Sequence, residues 1–333
     1  MRNKFLFFAL TVLTVGNSVP THGQTYKFSI LYSFKNNGRD PDQPTSLILD
    51  SKGNLYGTSL FGGKFSQGAV FEISPKGVLT VLHDFNGTDG SGVLSLARDN
   101  RQGNLYGTTF VPGNAAGTIF KMVRGQTGTY KLSTLYSAPT AEPQTLTLDA
   151  SGNVFGTDNG CTCIFEIPSG GQWRNIYETG GQPIFPVGNL LIEKSGIIYA
   201  SIDVEEISAF GWILELGQNA LLFQLPDPAA GSDFLRQDAA GNIYGLAFGD
   251  GADTFGSVFK FEPLTGVFTT IYSFTGGADG KNPRGSFSRD SGGNIYGTAG
   301  GGPAGGGLVF KITPQGKETV IHNLATHSST SGW

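Results

Sequence analysis

"GNLYGT" spans residues 53–58 and recurs without change at residues 103–108. Four near copies follow: GNVFGT at 152–157, GIIYAS at 196–201, GNIYGL at 241–246 and GNIYGT at 293–298. Their starts are separated by 50, 49, 44, 45 and 52 residues, a period that belongs to arrays or closed rings of one supersecondary unit. Each copy holds four short apolar runs, which in the first are SLILD (46–50), NLYGTS (54–59), GAVFEI (68–73) and TVLHDF (80–85). The runs have strand length, are rich in β-branched and aromatic residues, and are parted by Gly, Pro, Asp or Asn. Four antiparallel strands repeated six times predict an all-β chain, a six-bladed β-propeller.

Each position of the motif has a physical reading. An acid stands two linker residues before the repeated glycine, with one extra residue in the second copy: Asp50, Asp99, Asp149, Glu193, Asp238 and Asp290. Its carboxylate can accept backbone N–H groups two residues on, and the glycine accepts positive φ, so a tight hairpin turn is expected at Gly53, Gly103 and their equivalents. Tyr56, Tyr106 and Tyr296 recur in the second strand, and Phe71, Phe120, Phe165, Phe259 and Phe310 in the third. These rings are expected in the core, where each buried side chain contributes about 1.5–3 kcal/mol. The small residue after each second-strand aromatic, Gly57 or Ala200, is read as room for the neighbouring sheet. In the fourth run one position carries an aromatic or His: His83, Tyr136, Tyr177, Phe223, Tyr272 or His322. KFSILYSF (27–34) supplies a further run of that kind, with Tyr32 at the position. One of the two terminal runs is expected to complete the last blade, and the sequence leaves open which.

Glycine numbers 51 and charged residues are only 14% of the chain, a composition of many turns and few helix surfaces. The net charge of -4, with 22 Lys and Arg scattered along the chain, leaves no basic stripe for phosphates and excludes a nucleic-acid partner. At the N-terminus Arg2 and Lys4 precede FLFFALTVLTV and a polar break, the order of an export signal with cleavage near Gly23. The expected organisation is a signal peptide at 1–23 and one propeller domain at 24–333, six repeats of about 48 residues. No later stretch approaches the roughly 18 apolar residues of a membrane span. The mature chain is therefore expected to be a secreted or periplasmic monomer.

The pattern SLILDSKGNLYGTSLFGG…GAVFEISPKG, with DxxGNLYGT and GxVF recurring together, resembles the GloVer-type tandem repeat of exported bacterial proteins, whose members often carry varied C-terminal anchors. The resemblance runs over essentially the whole mature chain and implies a repeat protein sent out of the cytoplasm; it implies no activity. A looser likeness to NHL-type and lactonase-type propellers rests on strand order. WD40 and kelch patterns do not fit, because Trp173, Trp212 and Trp333 keep no period.

Candidate sites lie where the repeat varies, on the loops from second to third strand and between blades, because variation on a rigid frame favours binding. Asp42, Asp89, Asp233, Asp250, Asp253 and Asp279 give that face its acidity, and Phe61, Phe110 and Phe248 its aromatic surface. No cofactor is required. Ca2+ is the ion such oxygen ligands would suit, with Asp42 and Asp233 the residues placed to reach one. The histidines carry no general-base arrangement, GGGPAGGG (300–307) lacks the Lys and helix of a phosphate loop, and Cys161 and Cys163 receive no role. No catalytic residues are assigned. The chain is read as a non-enzymatic binding or scaffold module for a glycan, an envelope component or a protein. The alternatives are a metal-dependent lactonase or lyase with an ion at the central channel, and a purely structural envelope protein.

Overall fold

The computed structural model describes residues 26–35, 37–110, 117–137, 142–178, 184–204, 211–217, 220–224, 234–249 and 255–325. Among them the chain forms six four-stranded sheets, each antiparallel with its strands in sequence order. The first is β1 (Pro41–Leu49), β2 (Leu55–Gly62), β3 (Ala69–Ile73) and β4 (Leu79–Asp84). The second is β5 (Val93–Arg98), β6 (Leu105–Thr109), β7 (Thr118–Arg124) and β8 (Tyr130–Ser137). The third is β9 (Pro143–Leu148), β10 (Val154–Asp158), β11 (Cys163–Ile167) and β12 (Arg174–Glu178). The fourth is β13 (Ile184–Ile192), β14 (Ile198–Val204), β15 (Trp212–Leu216) and β16 (Ala220–Gln224). The fifth is β17 (Leu235–Gln237), β18 (Ile243–Ala247), β19 (Ser257–Glu262) and β20 (Val267–Ser273). The sixth is β21 (Ser288–Arg289), β22 (Ile295–Ala299), β23 (Gly305–Ile312) and β24 (Glu318–Ala325). This is the six-bladed β-propeller that the period predicts. The chain divides into two compact units, 1–152 and 153–333.

The repeated acid and glycine make the expected turn. Asp50 accepts the N–H groups of Lys52 at 2.9 Å and Asn54 at 2.8 Å, while Gly53 takes φ of 83° and donates to the Asp50 carbonyl at 3.1 Å. Asp238 and Asp290 repeat the arrangement and add the tyrosine hydroxyl of the next strand, Tyr244 or Tyr296, each at 3.0 Å. Burial pushes these carboxylates up, but their hydrogen bonds outweigh it and hold Asp50, Asp238 and Asp290 below the usual range. An arginine from the following sheet leans over the same turn. Arg98 lies 5.2 Å from the Tyr56 ring and 3.9 Å from Asp50, and Arg289 lies 4.6 Å from the Tyr244 ring and 3.8 Å from Asp238.

The small residue of the second strand has a different job from the one expected. Gly57, Gly107, Gly156, Ala200, Gly245 and Gly297 sit directly across the ladder from Phe71, Phe120, Phe165, Leu214, Phe259 and Phe310. A methyl built on Gly57, Gly107 or Gly297 would overlap the ring of Phe71, Phe120 or Phe310. The room is thus for the ring of the same sheet's third strand, which folds over the bare backbone. In the fourth sheet the ring is replaced by Leu214 and the glycine by Ala200.

The first and second sheets, and the fifth and sixth, meet through the exit of the fourth strand. Phe85, fully buried, contacts the Phe120 ring at 5.2 Å, and Phe274, also fully buried, contacts Phe310 at 5.2 Å. Phe34 contacts Phe71 in the same way at 5.3 Å. Phe34 of the N-terminal run therefore packs on the first sheet as a fourth-strand exit does. The C-terminal run β24 is the strand that completes the last sheet.

Phe71→Ala removes a fully buried ring, and is expected to lower unfolding free energy by about 3–5 kcal/mol. Gly57→Ala is expected to lower it by about 1–3 kcal/mol, the usual effect of overpacking. Urea unfolding measures both, and a neutral Gly57→Ala would show that the ring does not occupy the glycine face.

Candidate functional site

In every antiparallel sheet here, the acid and glycine turn lies at one end and the loop from second to third strand at the other. The best-defined loop of the second kind follows β2. Its backbone is pinned on three sides: the Gly63 N–H donates to the Asp40 carbonyl at 3.2 Å, the Lys64 N–H to Asp84 Oδ1 at 2.7 Å, and the Gly92 N–H of the second sheet's entry to the Gln67 carbonyl at 2.9 Å. Gly62 and Gly63 take φ of 77° and 73°, and at Gly62 a side chain would strike the backbone of Asp40 and Asp42. Only glycine lets the loop lie that close. On this fixed backbone two rings face solvent, Phe61 at 45% and Phe65 at 46% exposure, whereas the third-strand rings Phe71 and Phe120 are at 0%. Asp42 is the cross-strand partner of Phe61, and Lys64 Nζ lies 5.0 Å from the centre of the Phe65 ring. Gln43, held at φ of 52°, donates its N–H to Asp42 Oδ1 at 3.0 Å.

The acids of the connections between sheets are turn-holders. Asp40 accepts Tyr32 Oη at 2.7 Å, Asp89 lies 2.9 Å from His83 Nε2, and Asp279 accepts Tyr272 Oη at 2.8 Å. Each also takes a backbone N–H of its own turn, from Lys35, Asn86 and Thr275 respectively. Tyr32, His83 and Tyr272 are thus equivalent, as the repeat register requires. Burial pushes Asp40 and Asp279 up, but the bonds they accept hold them below the usual carboxylate range. Burial with the Asp40 bond pushes the Tyr32 hydroxyl up to about 12. Asp89 and Asp279 therefore have their carboxylate oxygens engaged within their turns.

Phe110 is partly buried and is tied to the second sheet's entry, donating its N–H to the Gly92 carbonyl at 2.8 Å. Phe248 is also partly buried, and the exposed Arg284 guanidinium lies 3.6 Å from the centre of its ring. Asp233, Asp250 and Asp253 lie outside the described residues. Among the described residues no three His, Cys, Asp or Glu side chains converge as a metal group would require. Lys64, Gln43 and Arg284 were not singled out from sequence. Lys64 could have been found from its place between Phe61 and Phe65 after two glycines, and Gln43 and Arg284 from the prolines at 44 and 283 beside them.

The fold and its loop end define a β-propeller repeat protein. The chain belongs to the Gloeobacter/Verrucomicrobia repeat family, whose model matches residues 16–214. No curated protein matches it by sequence. Among solved structures it is similar to virginiamycin B lyase from Staphylococcus aureus, at 15% identity and a TM-score of 0.62, covering 89% of this chain and 88% of that one. It is also similar to a putative 6-phosphogluconolactonase from Bacteroides uniformis, at 15% identity and a TM-score of 0.54, covering 87% and 85%. A third is the gluconolactonase XC5397 from Xanthomonas campestris, at 14% identity and a TM-score of 0.51, covering 82% and 87%. At these identities the likeness shows the fold alone. Among the described residues no helix is long and apolar enough to cross a membrane.

One carboxyl behaves oppositely to the turn acids. Burial, with the Asp279 charge beside it, raises Glu318 to about 7, and its Oε1 is buried without a hydrogen-bond partner. Because its folded value lies above its unfolded one of about 4.5, the stability that goes with the neutral carboxyl is fully present below the unfolded value and is lost as pH rises through about 7. Glu318→Gln is expected to match the parent in melting temperature at pH 4 and exceed it at pH 8. Parallel curves at both pH values would contradict this placement of the carboxyl.

Proposed function

We propose that the chain is an exported binding module whose ligand platform is the end of β2 with the pinned loop that follows it, and that the ligand is a glycan. The observation that carries the reading is the pair Phe61 and Phe65, about half exposed on a backbone fixed by bonds to Asp40, Asp84 and the Gly92 entry. Exposed rings on a mobile loop would lose binding energy to ordering; rings already held do not. An aromatic face accepts the C–H face of a sugar ring, and Asp42 and Lys64 stand beside the two rings to meet hydroxyl groups. The Arg2, Lys4 and FLFFALTVLTV order supports export, which places such a platform where glycans are abundant.

The test is a glycan array probed with the full chain, together with pull-down from envelope extract. At least one glycan class should be retained, and Phe61→Ala combined with Phe65→Ala should weaken retention by roughly tenfold or more while the chain still unfolds cooperatively with the parent's circular dichroism, since neither half-exposed ring belongs to the buried core. Retention of no glycan, or equal retention by the double variant, overturns the reading; capture of a protein alone replaces the glycan with a protein partner. Expression with the native N-terminus should release a chain that begins at Gln24, read by intact mass.

A further inference from the structure

The loop between β10 and β11 holds a feature that the repeat does not require. Cys161 and Cys163 are joined by a disulfide with a single residue between them. A bridge between residues two apart closes a very short loop and removes little freedom from the unfolded chain, so it is a weak brace. The two residues differ in access: Cys161 is exposed, whereas Cys163 is fully buried in β11. Thr162 between them is held at φ of 49°, a left-handed conformation that a β-branched residue adopts only where its surroundings impose it.

Each sulfur also faces a hydrogen-bond acceptor. Cys161 Sγ lies 3.8 Å from the Asp158 carbonyl oxygen, and Cys163 Sγ lies 3.6 Å from Asn175 Oδ1. The orientation of Asn175 follows from its neighbours. The Trp173 indole N–H can only donate and lies 2.6 Å from Asn175 Oδ1, while Asn175 Nδ2 donates to Glu178 Oε1 at 2.6 Å. The atom turned to Cys163 is therefore an oxygen. A disulfide sulfur has no proton to give it; a thiol does. The same backbone thus has partners ready for the reduced pair as well as a bond in the oxidised one.

We propose that Cys161 and Cys163 form a thiol–disulfide exchange site whose substrate is a thiol. A substrate thiolate attacks Sγ of the exposed Cys161, forming a substrate–Cys161 disulfide as the Cys161–Cys163 bond breaks. The electron pair leaves on Cys163 Sγ, which takes a proton from solvent and donates it in a hydrogen bond to Asn175 Oδ1. A second substrate thiolate attacks the substrate sulfur of the mixed disulfide, releasing Cys161 as a thiol once protonated. Two thiols are oxidised to one disulfide, and the Cys161–Cys163 bond is reduced by the same two electrons. Attack at Cys163 is closed by burial.

The full chain, purified oxidised, is equilibrated in glutathione redox buffers of graded ratio and its thiols are read by alkylation and intact mass. Reversible conversion to the dithiol within the buffer range is expected, with the same circular dichroism and melting curve in both forms. In Cys163→Ser, glutathione disulfide should modify Cys161 roughly tenfold or more faster than it modifies Cys163 in Cys161→Ser, because access governs the rate. A parallel incubation with an unfolded peptide carrying two cysteines identifies the source of the thiol: oxidation of the peptide in preference to glutathione points to protein thiols, and the reverse to small ones. A bond that stays oxidised in every buffer overturns the proposal. So does unfolding on reduction, which would make the bond a structural brace.

Discussion

The constraint on which the sheets depend is the placement of a third-strand ring over a second-strand backbone that lacks a side chain. Phe71 over Gly57, Phe120 over Gly107 and Phe310 over Gly297 leave no space for even a methyl group. Everything larger follows from that overlap. The ring drawn onto its own sheet is also reached by the fourth-strand exit of the preceding sheet, Phe85 tilted on Phe120 and Phe274 edge-on to Phe310, each at 5.2 Å. The contact is apolar and buried, so its strength scales with the area removed from water. It also fixes register, because a slip of one residue would put the glycine opposite a different side chain and turn the ring to the other face. The exchange of Phe for Leu214 together with Gly for Ala200 shows that volume is conserved across the pair.

Polar groups then divide the labour between the two ends of each sheet. At the turn end Asp238 and Asp290 collect backbone donors and a tyrosine hydroxyl, and Arg289 comes from the sixth sheet to lie beside the Asp238 turn. Those carboxylates stay ionised through hydrogen bonds despite burial. Polar atoms of the first strands tie sheets in the same way: Ser95 Oγ accepts the Leu146 N–H at 3.2 Å, and Asn189 Oδ1 accepts the Leu235 N–H at 3.0 Å. Side chains occupied in this manner hold the frame and have little capacity left for ligands. At the loop end the chain after β2 is tied through its own backbone N–H and carbonyl groups, one of them to the Asp84 carboxylate, so Phe61 and Phe65 remain outward.

Much of this was legible in the sequence because it is periodic. Six acids at one place, each followed by glycine, can mean only a turn repeated six times, and the structure draws the same turn at Asp50, Asp238 and Asp290. The equivalence of Tyr32 with His83 and Tyr272 was also written in the register, although its purpose, a bond to the acid of the next connection, depends on a loop path that no pattern encodes. The destination of the glycine space was misread because a sequence shows that a position is small without showing which ring fills it. Arg98 and Arg289 were missed for a similar reason: their partners lie about one repeat away, and only the fold brings a residue before one turn to the acid of the previous one.

The residues that bear on function are those that break the period, and this explains why they were harder to read. A repeat advertises what each blade needs for stability, so a side chain present once is either incidental or selected for something other than folding. Phe65 occurs once, on a loop whose position is set by glycines and backbone bonds, with its ring left exposed. The Cys161–Thr162–Cys163 sequence also occurs once, at the loop leading into β11, and the equivalent positions of the other repeats hold no sulfur. Their structural settings differ: the first is a rigid surface open to solvent, the second a bond with one exposed cysteine and an acceptor waiting at each end. Neither setting is required to seat a phenylalanine on a glycine, and so neither is explained by the constraint that builds the rest of the fold.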